Sequence, residues 1–430
     1  MRIIVFFTFF LFTAALYPRD LSIRDVYIPD SNFRYSEPQD IFIRSGKIHS
    51  FQDIPEKRKN RKNYKAQYLF PSFCDAYVNL GSDGLGGQNG RREVYAALRS
   101  FLEHGFTHIL SVADGPWIRE IQGLAEKGKI LSPEIQIAPR PIVPHNSETK
   151  SLPLELYFRA ETKKAFYSEL KKQIHSDSGG VHLFQRFSSP SHFQAGGIEL
   201  YRAQKMSSRA GKILSVYAFG DRIAILNALR SGISYIHGPI PLSILNRTSK
   251  FKLQNIHNAP NFYSYYILAN RGNKDALDYL LSYMQKKSPF FKKNYYPSLS
   301  SITPYLQQNP EEEQKAKEEY TSYRNFFEEN LSLQKNMILS SGSGGFFAFP
   351  GIAGLMELKN IASLTGYSRD FWRIPTKNTC SYLKTEYKGR IQIREEASFL
   401  LLDANPLEDP DSIFRVKQVI RKGKILIRHR

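Results

Sequence analysis

The stretch Leu69–Gly81 places polar side chains at the end of a buried strand. An apolar run ends in proline, reads Asp75-Ala76-Tyr77-Val78-Asn79, and leads into a glycine-rich loop. Its alternating apolar residues predict a strand with polar groups at its carboxyl end. A hydrolytic metal centre needs at least three donors, mostly His or carboxylate, and an open position for water. Tyr77 and Asn79 are poor donors at neutral pH, because a phenol ionises only at high pKa and an amide carries no charge.

Two other segments could be mistaken for catalytic loops. Gly84–Gly90 is rich in glycine, but it lacks the strand-GxGxxG-helix order of a dinucleotide site and the Lys-Ser/Thr ending of a phosphate loop. Ser340–Gly345 does not form the G-x-S-x-G turn that presents a nucleophilic serine. We therefore interpret the first segment as the loop that follows the strand.

The middle of the chain alternates strand-like and helix-like segments, which is typical of a parallel barrel. The predicted segments are a helix over 91–104, strands over 106–112, 180–184 and 213–220, a helix over 221–231 and a strand over 232–239. Residues 286–335 form a predicted insertion, in which Pro310 begins a charged helix with acidic residues in its first turn.

Both ends of the chain are rich in β-forming residues. Residues 40–51 predict a hairpin that turns at Ser45-Gly46. Near the other end, residues 397–403 predict a strand and residues 416–427 another hairpin. The two ends together predict one small β-domain beside the long middle region.

Three segments carry a resemblance to the amidohydrolase superfamily, in its imidazolonepropionase- and prolidase-like branch. Residues 69–81 resemble the family pattern PG-x-x-DAHVH-x-G, residues 213–238 resemble V-A-V-H-A-H-G with its following helix and I-E-H-G, and residues 401–409 resemble the C-terminal P-L-E-D segment. The resemblance implies a (β/α)8 TIM-like barrel over 67–385, with 286–335 inserted. It also implies a small β-sandwich formed from residues 38–66 and 386–430.

The family's metal ligands can be carried over position by position. They come from H-x-H on strand one, a lysine on strand four, a histidine each on strands five and six, and an aspartate on strand eight. In this chain the corresponding residues are Tyr77 and Asn79, His182, Tyr217, His237 and Ser343. Only His237 keeps the family's residue, and His182 is a donor of another kind. The resemblance therefore implies the fold and argues against the family's metal chemistry.

The leading functional expectation is an amidohydrolase-like protein that has lost most of its metal ligands and binds a small-molecule ligand or a protein partner. No cofactor is expected. The alternative is a metal-dependent hydrolase of C–N bonds in a cyclic amide or similar substrate, with zinc or another divalent ion held in a rearranged site by His237 and His182. A basic adhesin or scaffold is a third interpretation, which rests on charge alone.

The net charge of +20 on 430 residues raises the question of anionic partners. The basic residues are spread along the chain, and their one dense run, Lys57–Lys62, lies in a connecting segment. The charge thus predicts weak attraction to anionic surfaces and no specific nucleic-acid binding.

The N-terminal segment and the two cysteines bear on where in or outside the cell the protein is found. Residues 1–16 read as a secretory signal, so we expect a periplasmic, cell-envelope or secreted protein, or an anchored one if the segment is not cleaved. Cys74 and Cys380 could form one bridge, but buried free thiols are the favoured interpretation.

Overall fold

The computed structural model describes residues 20–51, 61–84, 88–144, 155–176, 178, 180–185, 193–218, 221–240, 255–288, 310–329 and 335–429. The predicted signal or anchor segment, residues 1–16, lies outside these ranges, as do parts of the predicted insertion over 286–335. Within them, no helix has both the length and the apolar character that a membrane span requires.

The strands are short and come from the whole length of the chain. They are β1 (Leu21–Tyr27), β2 (Gln39–Arg44), β3 (Lys47–Ser50), β4 (Arg61–Pro71), β5 (Phe73–Val78), β6 (Phe106–Ser111), β7 (Glu134–Ile137), β8 (Ile142–Pro144), β9 (Phe158–Ala160), β10 (Gly180–Phe184), β11 (Ile213–Tyr217), β12 (Tyr235–His237), β13 (His257–Ala259), β14 (Phe399–Leu402), β15 (Gln418–Arg421) and β16 (Lys424–Arg428).

The helices alternate with the strands of the middle region. They are α1 (Arg91–Glu103), α2 (Ile118–Glu126), α3 (Lys163–Ile174), α4 (Gly197–Arg209), α5 (Arg222–Arg230), α6 (Phe262–Ala269), α7 (Lys274–Lys287), α8 (Pro310–Glu329), α9 (Ile352–Thr365), α10 (Arg369–Trp372) and α11 (Thr379–Leu383). A five-residue π-helix, Ile374–Asn378, joins α10 to α11, and a 3-10 helix spans Pro410–Phe414. Side-chain caps fix several starts: Asp221 accepts from the Ala224 N–H at α5, for example.

The two chain ends meet in one seven-stranded sheet, in the order β16-β15-β14-β4-β1-β2-β3. The hairpin predicted over 40–51 is confirmed, because β2 and β3 pair antiparallel across Ser45-Gly46. Ile41 and Ile43 of β2 share one buried cluster with Phe399 and Leu401 of β14, although these strands are far apart in the sheet. The sheet must therefore curve around this cluster; its division into a sandwich of two sheets stays a prediction.

The middle region forms parallel sheets, which confirms a mixed α/β fold. One sheet has the order β5-β6-β7 and the other β13-β12-β11-β10-β8-β9. Residues 337–343 run between them: the Ile338 N–H donates to Asn258 O at 3.0 Å, and the Ala76 N–H donates to Leu339 O at 2.9 Å. Carboxyl ends of neighbouring parallel strands lie at one edge, so the candidate residues of β5, β10, β11 and β12 are brought together.

The charged helix predicted from Pro310 is α8, and it packs on α6. Its Tyr323 ring meets the rings of Phe262 and Tyr265 edge-on, and Phe327 also lies edge-on to Phe262. The helix thus extends the hydrophobic core outward from the sheets.

The prediction that Cys74 and Cys380 are free thiols is wrong. Cys74 at the start of β5 and Cys380 in α11 form a disulfide across a sequence separation of 306 residues. Both residues are fully buried. The sequence alone does not show this pairing, because α11 and β5 come together only in the folded protein.

Candidate functional site

An aromatic cluster occupies the strand ends where the carried-over ligand positions meet. The ring of Tyr217, on β11, stacks on His237 of β12 at 4.1 Å between centroids and an interplanar angle of 20°. It also lies 5.1 Å from Tyr77, 4.6 Å from Phe184 and 5.8 Å from His182. The Tyr217 ring is therefore surrounded by side chains from three other strands, β5, β10 and β12, and it fills the space between them.

His237 is hydrogen-bonded to a residue from a helix rather than from a neighbouring strand. Its Nε2 lies 3.1 Å from the hydroxyl of Tyr382, which α11 supplies. Its Nδ1 has no hydrogen-bond partner among the described residues, although the side chain is 1% exposed. Burial, with a smaller effect of His182, holds the pKa of His237 well below the ordinary value. The imidazole is therefore neutral at physiological pH.

His182 is fixed by hydroxyl groups of the neighbouring strand. Its Nδ1 lies 2.8 Å from Ser215 Oγ and 3.4 Å from the hydroxyl of Tyr217. Burial lowers the pKa of His182 to about 4. One ring nitrogen is thus already engaged, and the ring carries no charge at neutral pH.

The remaining two positions lie next to each other but serve the backbone. The Asn79 N–H donates to Ser343 O at 2.8 Å, and the Asn79 amide donates to Ala113 O at 3.0 Å. The Ser343 hydroxyl lies 2.7 Å from that of Ser341. Gly344 makes this junction sterically feasible, since its φ is +91° and an added Cβ would lie 2.3 Å from Asn79 O. These polar groups therefore hold β5 against the segment 337–343.

Two buried carboxyl groups support the same junction. Asp75 Oδ1 accepts from the N–H groups of Tyr77 at 3.1 Å and Ser341 at 3.0 Å, and burial raises the pKa of Asp75 to about 7. Asp114 accepts from the N–H groups of Leu80 at 3.0 Å and Gly81 at 2.8 Å, and burial raises the pKa of Asp114 to about 6. Asp75 thus ties β5 to the segment 337–343, and Asp114 orders the loop that follows β5.

A hydrolytic divalent metal does not fit the carried-over set. Burial raises the pKa values of Tyr77 and Tyr217 well above that of a free phenol, so neither supplies a phenolate at neutral pH. The Asn79 amide donates its N–H to Ala113 O and offers only an uncharged oxygen, the Ser343 hydroxyl is bonded to that of Ser341, and the Tyr217 ring occupies the space next to His237. The set offers two histidines and no carboxylate, which is fewer than a catalytic ion needs.

One other group of potential metal donors exists among the described residues, away from this cluster. His108, Glu134 and Glu396 bring one ligand atom each to within 4.8 Å of one another. The ammonium of Lys422 lies 2.7 Å from Glu134 Oε2 and 3.8 Å from Glu396 Oε2. This ammonium pairs with both carboxylates, so the group is part of an ion-pair network that joins β6 and β7 to the terminal sheet.

Sequence reasoning missed two features of the site. Tyr382 could not be found, because it comes from a helix 145 residues beyond His237 and belongs to no motif. A cavity of about 740 Å³ lies between strands and helices at one side of the cluster. His182 lines it, together with Tyr382, whereas Tyr77, Asn79, Tyr217, His237 and Ser343 do not. The six carried-over residues therefore do not share this cavity.

Comparisons with known proteins give similarity in structure alone. No family model matches the sequence. No curated protein matches it either. Among solved structures, a Xaa-Pro dipeptidase with bound methionine is similar with a TM-score of 0.72 and 14% identity, over 95% of this chain and 100% of that one.

Two further solved structures agree with the first. A putative prolidase from Bifidobacterium longum has a TM-score of 0.70 and 14% identity, over 95% of each chain. The ochratoxinase of A. niger has a TM-score of 0.66 and 13% identity, over 94% of this chain and 95% of that one. The resemblance to the amidohydrolase superfamily is thus confirmed in the fold. Identities this low carry no information on activity.

Proposed function

We propose, from the amidohydrolase fold as premise, that this protein is a non-catalytic relative of the metal-dependent hydrolases that binds a ligand or partner. The observation that carries the proposal is the Tyr217 ring, packed 4.1 Å from His237 and 5.1 Å from Tyr77. Aromatic packing of this kind stabilises a core, whereas an active metal centre needs open space for water and substrate.

The proposal includes the finer architecture. We infer that the parallel strands, with 337–343 as the eighth, close into one (β/α)8 barrel beside a terminal β-sandwich. Hydrogen bonds on both sides of 337–343 support the closure, since they link Asn258 to Ile338 and Leu339 to Ala76. The core shared by β2 and β14 supports the sandwich.

We also propose that the protein is exported. A disulfide between Cys74 and Cys380 supports this, because such bonds persist in oxidising compartments and are rare in the cytosol. The apolar segment over 1–16 would be the signal or the anchor. Cell fractionation with N-terminal sequencing of the mature protein tests both points. An intact N-terminus in the cytosolic fraction would refute them.

Metal analysis and a hydrolysis assay test the loss of catalysis. The full chain, expressed with zinc and without chelators, should contain far less than one divalent ion per chain. It should also release no proline from dipeptides of the Xaa-Pro type, which the similar dipeptidase suggests as substrates. A stoichiometric ion that disappears in His237→Ala, but persists in the variant of the exposed His49, His49→Ala, would refute the proposal in favour of a rearranged hydrolytic site.

A further inference from the structure

The third strand of the parallel region is interrupted. We call the gap between its two halves the wall opening, because it lies in the sheets that form the wall of the proposed barrel. The first half of this strand, β7, pairs with β6, and Ile137 lies opposite Ser111. Its second half, β8, pairs with β10, where Ile142 lies opposite Leu183. Between the halves stand Pro139 and Pro141. Proline has no N–H to donate, so the regular pairing with β6 and β10 is interrupted across this stretch, although Pro141 O still accepts from the Phe158 N–H of β9 at 2.9 Å.

The cavity of about 740 Å³ lies at this opening. Residues 136–140 line one side of it, and Gly180 and His182 of β10 line the other. Helices α2 and α3 flank the cavity, and α11 contributes Tyr382 and Leu383. Its volume falls within the roughly 300–1,000 Å³ of sites for small organic ligands.

The outer lining of the cavity is strongly basic. It includes four exposed basic side chains, Arg119, Arg140, Lys172 and Lys384, whereas the one carboxylate among the described lining residues, Glu169, is buried. The side chains of Arg119 and Lys172 make no hydrogen bond or ion pair with the described part of the chain, and both residues are exposed. Unpaired cations around a concave site attract anions and raise their local concentration.

The buried part of the lining is largely apolar, although it also contains Glu169 and Gln173. The apolar lining residues include Leu110, Ala138, Ile213 and Leu383. His182, also in the lining, is neutral at physiological pH, because burial lowers the pKa of His182 to about 4. The exposed rim of the cavity is therefore basic, and most of the side chains behind it are apolar.

From this arrangement we propose that the cavity binds a small organic anion with an apolar body, its charged head at Arg119 and Lys172 and its body between β7 and β10. This inference rests on the proposed binding role and places that role in the wall opening rather than at the former metal position. Because His182 bonds to Ser215 and Tyr217, a bound ligand would contact the aromatic cluster through one residue.

A pair of fluorescent probes tests the proposal on the full chain. The anionic probe is 1-anilinonaphthalene-8-sulfonate, and the control probe is N-phenyl-1-naphthylamine, which has the same apolar body and no charge. The anion should bind at one site per chain and at least about tenfold more tightly than the neutral probe. Its affinity should fall as salt is raised, because the cations are exposed.

Matched variants locate the binding. Arg119→Gln with Lys172→Gln should weaken the anionic probe about tenfold and leave the neutral probe unchanged. Lys274→Gln with Arg369→Gln removes the same charge from exposed positions outside the cavity and should change neither. Gln136→Trp adds bulk to the lining and should weaken both probes. Circular dichroism of each variant confirms that it is folded.

Three outcomes would overturn the inference: no saturable binding of the anion, equal affinity for the two probes, or equal weakening in both charge-removal pairs. These failures are distinct from failure of the proposed function. If the anion does not bind while metal and hydrolysis are also absent, only the cavity assignment is wrong. If metal and hydrolysis are present, the non-catalytic role is wrong whatever the probes show.

Discussion

The role of Tyr217 as a packing residue can be tested by removing its ring. Tyr217 is 3% exposed and lies within 5.1 Å, between centroids, of His237, Phe184 and Tyr77. Replacing a large buried aromatic residue by alanine costs roughly 3–5 kcal/mol, because the transfer free energy is lost and a cavity remains. We therefore expect Tyr217→Ala to lower the free energy of unfolding by about 4 kcal/mol.

A second variant separates packing from hydrogen bonding. Tyr217→Phe loses the 3.4 Å contact of its hydroxyl with His182, whose Nδ1 keeps Ser215 at 2.8 Å, and a hydrogen bond with Tyr382. The expected cost for these two contacts is therefore about 1–2 kcal/mol, well below that of Tyr217→Ala. Tyr279 is 69% exposed, so Tyr279→Ala is the matched control and should stay within about 0.5 kcal/mol of the parent.

Urea unfolding followed by circular dichroism gives the three values, and elemental analysis of each variant accompanies it. The reasoning is refuted if Tyr217→Ala is no less stable than Tyr279→Ala, since the ring would then contribute nothing to packing. It is also refuted if Tyr217→Ala acquires one tightly bound divalent ion. That result would mean that the ring alone blocks a metal site which is otherwise complete.

Three further predictions concern stability. Replacing Cys74 and Cys380 by alanine should lower the free energy of unfolding by about 5 kcal/mol, since the bond closes a loop with a sequence separation of 306 residues; urea midpoints measure the loss. Gly344→Ala should cost more than about 2 kcal/mol in the same assay, because φ is +91° and the new Cβ would clash with Asn79 O. Burial lowers the pKa of His182 to about 4, so between pH 7 and pH 4 the unfolded chain binds a proton at this residue and the folded protein largely does not. The free energy of unfolding should therefore fall by about 3 kcal/mol from pH 7 to pH 4 through His182.

Each of these has a control. Reductant should destabilise the parent protein and leave the double alanine variant unaffected; equal sensitivity would contradict the disulfide. Gly123→Ala, in α2, meets nothing within 4 Å and should be neutral or stabilising, so a cost equal to that of Gly344→Ala would show that no clash is involved. His182→Gln should flatten the acid limb of the stability profile, and an unchanged slope would assign that limb to other groups.

Much of the fold could be predicted from local sequence patterns. The strands over 180–184 and 213–217, the helix over 222–230 and the hairpin at Ser45-Gly46 are found where periodicity and turn residues predict them. Each depends on neighbours a few residues apart, which apolar spacing and turn chemistry report directly. The family resemblance predicts in addition that the carboxyl ends of the parallel strands lie close together.

The contents of the site were harder to predict, because they depend on distant parts of the chain. Tyr382 reaches His237 from α11, which follows the parallel region in the chain, and Cys380 reaches Cys74 from the same helix. Neither contact leaves a local signal. The wall opening does have a local signal, the prolines Pro139 and Pro141. This signal can be interpreted only when the strands on either side of it are known. Local pattern therefore predicts elements, and only the fold shows what they enclose.

The disulfide also determines how the molecule would transmit mechanical force. A pull on both ends passes through the bond between Cys74 and Cys380, so residues 75–379 lie in a covalent ring that bears no load. Only residues 1–73 and 381–430 can be extended, and among the described residues these contain β1–β4 and β14–β16, the whole seven-stranded sheet. β14 pairs with β4 at the seam between the two ends, so that sheet would shear first. The parallel strands and the stacked rings of Tyr77, Tyr217 and His237 would stay folded inside the ring that the disulfide closes, whereas Tyr382 and Leu383, which complete the cavity, lie in the segment under tension.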